Sequence, residues 1–205
     1  MPPLTYYDLR DAIPTAEPDN QEMSMPMTSR LSLPQEEQFS PAQQSIYHSI
    51  LATRGNLDGP FLAWMHSPEM ASHAEKLGAF CRYQSTLTTL ETELLILLVA
   101  ARFNCRGEQQ IHEPIARVAG LKQSDIDRIR SGERADFIDP RLKMLQNVAR
   151  ELLTTNRISR TLYAQTIATI GERTAVEVVG IIGYYTLVAM TLNAFEMEAA
   201  NSDVD

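Results

Sequence analysis

The chain has 205 residues, 44% of them hydrophobic, with six Phe, seven Tyr and one Trp, enough apolar material for one folded core and too much for a wholly disordered chain. Eighteen Lys and Arg against 26 Asp and Glu give a net charge of −8, the wrong sign for a general nucleic-acid binder. Two cysteines cannot staple a secreted module of this length, and the opening MPPLTYYDLRDAIP has no basic start followed by an apolar run. The expectation is therefore an intracellular (cytoplasmic) protein with reduced thiols.

The composition changes near residue 40. Seven of the eleven prolines lie in residues 1–41, and residues 1–40 carry two basic and seven acidic side chains, against 16 and 19 in the remaining 165. Proline at that density excludes long helices and leaves extended backbone. Residues 1–40 read as a proline-rich acidic arm and 41–205 as the folded domain. Leu4, Tyr6, Tyr7, Leu9, Met23, Met25, Met27 and Leu31 leave two options open: a solvated tail, or an arm lying along its own body or a neighbouring subunit.

From Pro41 onward the pattern is helical. Pro41 opens a helix with Ile46, Ile50 and Leu51 at helical spacing, stopped by Gly55. PFLAWMHS and PEMASHAEKLGAFCRYQ read as two further helices divided at Pro68. Thr88 and Glu91 form a capping box ahead of LETELLILLVAARF, and Asn104 is a left-handed stop for that helix. Another helix runs from about Gly107 to Ala119 and ends at Gly120. Ser124 caps DIDRIR, Pro140 starts RLKMLQNVARELLTT, Ser159 starts RTLYAQTIATI up to Gly171, and Thr174 begins AVEVVGIIGYYTLVAMTLNAF. The apolar stretch Val178–Met190 is shorter than the roughly twenty residues of a membrane span, so no membrane is expected. No run alternates with period two for long enough to be a convincing strand, and the fold class is all-α.

The candidate chemistry lies between residues 93 and 112. Glu108 and His112, four apart, share one helical face. Cys105 sits at or just before that helix's start, where unpaired amides and the helix dipole should favour the thiolate. If the chain reverses around residues 104–107, the two helices form an antiparallel hairpin that brings Glu93 towards His112, beside Leu94, Leu97 and Ile111. Such an enclosure suits acid–base work near neutral pH. The spacing matches none of the standard zinc patterns, so no metal is expected. Arg82 is a candidate anchor for a substrate carboxylate, and Trp64 and His66 in WMHS are candidate substrate contacts; a surface ion pair for Arg82 and a helix cap for His66 are the structural alternatives.

The order Glu93, Cys105, Glu108, His112 within an apolar helical hairpin resembles the carboxymuconolactone decarboxylase and alkylhydroperoxidase D-like superfamily. PFLAWMHSPEM, FCRYQSTL, ETELLILLVAA, HEPIARVAGL and VEVVGIIGYYTLVAMTLNAF extend the resemblance over roughly residues 60–195. It implies an AhpD-like helical bundle assembled into trimers or hexamers, with no organic cofactor. The peroxidase branch carries a Cys-x-x-Cys pair, whereas here position 108 is Glu and the other thiol, Cys81, is far upstream. The Cys-x-x-Glu form is similar to the decarboxylase branch, in which Cys-x-Tyr-Glu-Trp is the commoner text; this chain has Gly107 and Gln109 at the aromatic positions. The resemblance implies a lyase acting on a small unsaturated carboxylic acid or lactone: His112 as proton donor, Glu93 as its orienting or proton-exchanging partner, Glu108 tuning His112 or holding a second proton, and Cys105 lining the pocket. A thiol-dependent peroxidase and a non-catalytic oligomeric relative are the alternatives. A nucleic-acid role would rest only on residues 102–160, with twelve basic against eight acidic side chains, and is not expected.

Overall fold

The computed structural model describes residues 27–199. Helix α1 (Pro41–Arg54) begins at a Ser40–Gln43 capping box with Pro41 in its first turn, and ends at Gly55, whose φ of 82° is open to glycine. A single-turn α2 (Phe61–Trp64) and the longer α3 (Pro68–Tyr83) follow. Helix α4 (Thr89–Arg102) starts at the Thr88–Glu91 capping box and is the centre of the fold, with every residue from Glu91 to Ala100 buried. Seven consecutive apolar residues, Leu94–Ala100, leave α4 no solvent face; α5, α6, α7 and α8 pack around it.

Asn104 (φ 49°) turns the chain, with the Cys105 amide donating to the Ala100 carbonyl at 2.9 Å, and α5 (Arg106–Val118) returns along α4 as the expected hairpin. Helix α6 (Gln123–Arg130) has Lys122 at its cap without a side-chain bond, so Ser124 is not the cap that the sequence suggested. Asp139 caps α7 (Pro140–Thr155). The side-chain amide of Gln146 on α7 holds both the N–H and the C=O of Ala135 (2.9 and 3.0 Å), satisfying a buried stretch of connecting backbone.

Helix α8 (Arg160–Phe195) starts at Ser159, as read, and is interrupted by Gly171 at φ 78°, ψ 166°. Just beyond that kink the buried Thr174 hydroxyl meets the Thr86 hydroxyl at 2.8 Å. By length and composition α8 is apolar enough to cross a bilayer, yet 56% of its most apolar window is buried inside the fold, the behaviour of a core helix.

Two two-residue strands were not anticipated: β1 (Met27–Thr28) pairs antiparallel with β2 (Glu198–Ala199). With the Arg30 amide on the Phe195 carbonyl at 2.9 Å, this seam ties the segment before α1 to the end of α8. Phe39 is buried, and Met27, Leu31 and Leu33 pack against the core, so residues 27–39 lie along the chain's own body. Leu4, Tyr6, Tyr7, Leu9, Met23 and Met25 lie outside the described residues.

Candidate active site

On α5 the buried positions Glu108, His112 and Ala116 recur every four residues, forming a stripe that faces α4. The hairpin thereby sets His112 against Glu93, which projects from the second turn of α4. His112 Nδ1 lies 2.7 Å from Glu93 Oε2, and His112 Nε2 lies 3.5 Å from Glu108 Oε2. All three residues are at most 3% exposed. Two carboxyl groups and one imidazole are enclosed together, so each relies on the others in place of the hydration that burial removes. The short contact fixes Nδ1 on Glu93. Nε2, in the longer contact, is the nitrogen placed to exchange a proton with a third party.

Helix α8 supplies the wall that the sequence did not reveal. The Tyr185 ring stands edge-on to the His112 ring at 5.6 Å; Tyr184 stacks edge-on against Tyr185 at 5.2 Å and against Trp64 at 6.3 Å. Trp64 is itself buried, with its indole N–H donated to Thr191 Oγ1 at 3.0 Å. Trp64 thus stands at the far end of an aromatic row that buttresses His112, and its polar group is already engaged. The available signal was GYYTL in an apolar helix, where a buried tyrosine pair needs polar or aromatic company.

Cys105 is the N-cap of α5 and fully buried. Helix-start amides should favour the thiolate, and those of Glu108 and Gly107 do pull that way, but burial outweighs them and pushes the thiol up to about 12. The expectation of an activated thiol is corrected accordingly. Cys81 is also a free, buried thiol. Gly107 has a packing reason: a Cβ there would lie 2.7 Å from the Met197 carbonyl and 3.2 Å from Leu192, so the end of α8 and the residues just after it close over the start of α5.

The remaining candidates lie on other elements. His66 is exposed, and its Nε2 meets the Ser32 carbonyl at 2.7 Å; it joins the segment before α1 to α2 and makes no cap. Arg82, half-buried in the last turn of α3, has its guanidinium 5.9 Å from the Tyr83 ring. Among the described residues no group of three or more His, Cys, Asp or Glu is arranged to hold a metal ion.

No known family model matches the chain, and no curated protein matches it in sequence. Solved structures do. An uncharacterized peroxidase-related protein from Ralstonia eutropha JMP134, described as an alkylhydroperoxidase AhpD core, is 16% identical at a TM-score of 0.71, covering 84% of this chain and 93% of its own. An uncharacterized peroxidase-related protein from Silicibacter sp. TM1040 gives 14% identity, a TM-score of 0.71 and coverage of 84% and 92%. The debrominase Bmp8, as a variant in complex with 2,3,4-tribromopyrrole, gives 12% identity, a TM-score of 0.68 and coverage of 85% and 95%. An all-helical bundle matched over nearly the whole of each neighbour leaves one reading of the architecture: this chain has the AhpD-like fold.

Proposed function

We propose that the chain is a cofactor-independent lyase of the carboxymuconolactone decarboxylase type, acting on a small unsaturated carboxylic acid or lactone through proton transfer at His112. The supporting observation is the buried line Glu93–His112–Glu108, with one tight contact and one long one. In decarboxylation the bond to the carboxyl carbon breaks, and its electron pair passes into a conjugated carbonyl to give a dienolate as carbon dioxide leaves. The imidazolium donates the Nε2 proton to that dienolate, and Glu93 holds the ring in position throughout. Glu108 returns a proton to Nε2 and is itself reprotonated from solvent as product leaves, so each turnover takes up one proton from the medium. Positioned general acids contribute roughly 100- to 10,000-fold, which the dry Tyr185-backed site would supply without an organic cofactor. The brominated pyrrole bound to Bmp8 is a small flat unsaturated ring, a shape compatible with this substrate class.

The neighbours described as peroxidase-related favour a second reading, a thiol peroxidase. Burial of Cys105 and its raised thiol weigh against it, because the thiolate is the reacting species. The test is carbon dioxide release from a panel of unsaturated acids and lactones, alongside peroxide consumption. Release that survives Cys105→Ala and fails in His112→Ala supports the lyase; peroxide turnover that fails in Cys105→Ala overturns it.

A further inference from the structure

The second half of α8 is apolar on both of its faces. Its inner face carries core residues such as Val178, Ile181 and Tyr185, while the large side chains Val176, Val179, Leu187 and Met190 are 39–73% exposed. Gly180, Gly183 and Ala194 are exposed too, and spacings of three, four and seven residues put all seven positions on one outer face. Between Arg173 and Glu196 the one charged side chain is Glu177, which is buried, so this outer face carries no charge. Both glycines have helical backbone, and a Cβ on either would meet nothing within 4 Å. Glycine weakens a helix interior relative to alanine, and no contact among the described residues requires it here.

The order of these side chains is the same read from either end. Gly183 is the centre, with Val179 and Leu187 four residues to either side and Val176 and Met190 seven to either side. A face that is palindromic about one residue is complementary to itself under a two-fold axis, which is what an isologous contact demands. We infer that the outer face of α8 binds the same face of a second copy of this chain, antiparallel, with the two-fold axis at Gly183. Val176 of one copy then packs on Met190 of the other, Val179 on Leu187, and the glycines let the two backbones approach closely at the crossing. The size is sufficient. At about 1.5 Å per residue the stripe from Val176 to Ala194 is about 27 Å long. Helices α3 and α7 both pack on α8, and three helices spaced about 8–10 Å apart over that length offer roughly 700 Å², near the ~800 Å² per partner of a standard interface. Charge points the same way: chains of net charge −8 repel least where the touching faces are neutral. A lipid surface suits the face less well, because helices that lie on membranes carry Lys or Arg beside the apolar stripe, whereas residues 174–205 contain neither. The inference is independent of the lyase reading.

Sedimentation velocity on the full chain over a range of concentrations tests it. The expected result is an assembly with an even number of copies. Leu187→Glu, checked for folding by circular dichroism, should halve that number and weaken the contact at least about 100-fold, because it buries a carboxylate from each copy. Thiol cross-linking tests the register, since the native Cys81 and Cys105 are both buried and do not compete. Gly183→Cys should form a disulfide between copies on mild oxidation, Val176→Cys alone should not, and Val176→Cys combined with Met190→Cys should. A chain that stays monomeric, an assembly that Leu187→Glu leaves unchanged, or cross-linking by Val176→Cys alone would overturn the inference. So would a monomer that binds vesicles of phosphatidylcholine and phosphatidylglycerol and loses that binding in Leu187→Glu, which would assign the face to lipid.

Discussion

Glu91 and Glu93 sit two residues apart at the start of the same helix, and both are buried. Glu91 accepts the Thr88 amide at 2.9 Å and is paired with Arg141 from α7, a cation that never gives up its proton. Glu93 is paired with an imidazole, which does. Glu177 on α8 repeats the first arrangement, with Arg173 at 2.9 Å and both the amide and the hydroxyl of Thr86 at 2.6 Å. A buried carboxylate held by arginine fixes the geometry, while one held by histidine, with another carboxyl on the ring's far side, can pass a proton on. Under the proposed function, that difference would separate scaffold from chemistry within two turns of one helix.

Substitutions should break the molecule differently on the two sides of that comparison. The largest effect belongs to His112→Ala: turnover should fall about 1,000-fold with the fold retained, read as initial rates beside circular dichroism. Glu93→Gln, which keeps the shape but not the charge, should cost roughly 100-fold in turnover. Glu91→Ala should leave the chemistry of the folded molecules intact and lower stability by about 2 kcal/mol, read by urea denaturation, because it removes the carboxylate half of the α4 capping box and the tie to Arg141 on α7. Glu177 sharpens the scaffold side through pH. Burial pushes its carboxyl up, but the Thr86 hydrogen bonds and Arg173 together hold it below the usual carboxylate value. The stability it adds is therefore present above the ordinary carboxylate range and lost as pH falls through its own lower pKa, so Glu177→Gln should flatten the acid limb of a stability–pH profile. The smallest effect is Cys105→Ala, which should change turnover by less than about three-fold.

The sequence carried the parts of this arrangement that depend on short-range geometry. The capping boxes, the turn at Asn104 and the four-residue spacing of Glu108 and His112 are local, and together they place Glu93 opposite the imidazole. Features set by distant residues were not legible. Helix-start amides at Cys105 can be read from the chain, but the burial that overrides them comes from packing. Gly107 looks like a lost aromatic until the Met197 carbonyl, ninety residues on, is seen to fill the space. Gly107→Ala should accordingly cost about 1–3 kcal/mol in thermal or urea unfolding, through displacement of the Met197 backbone. Tyr185 escaped notice for the same reason, since only the packing of α8 on the hairpin brings its ring to His112.

The central claim is that a buried Glu93 holds His112 by Nδ1 and leaves Nε2 to exchange its proton. Nitrogen-15 and proton NMR of ring-labelled histidine tests it most directly. The account predicts a far-downfield proton on Nδ1 of His112, protected from solvent and lost in Glu93→Gln. An Nδ1 without a bound proton, or a ring signal that exchanges with water as freely as that of exposed His66, would contradict it.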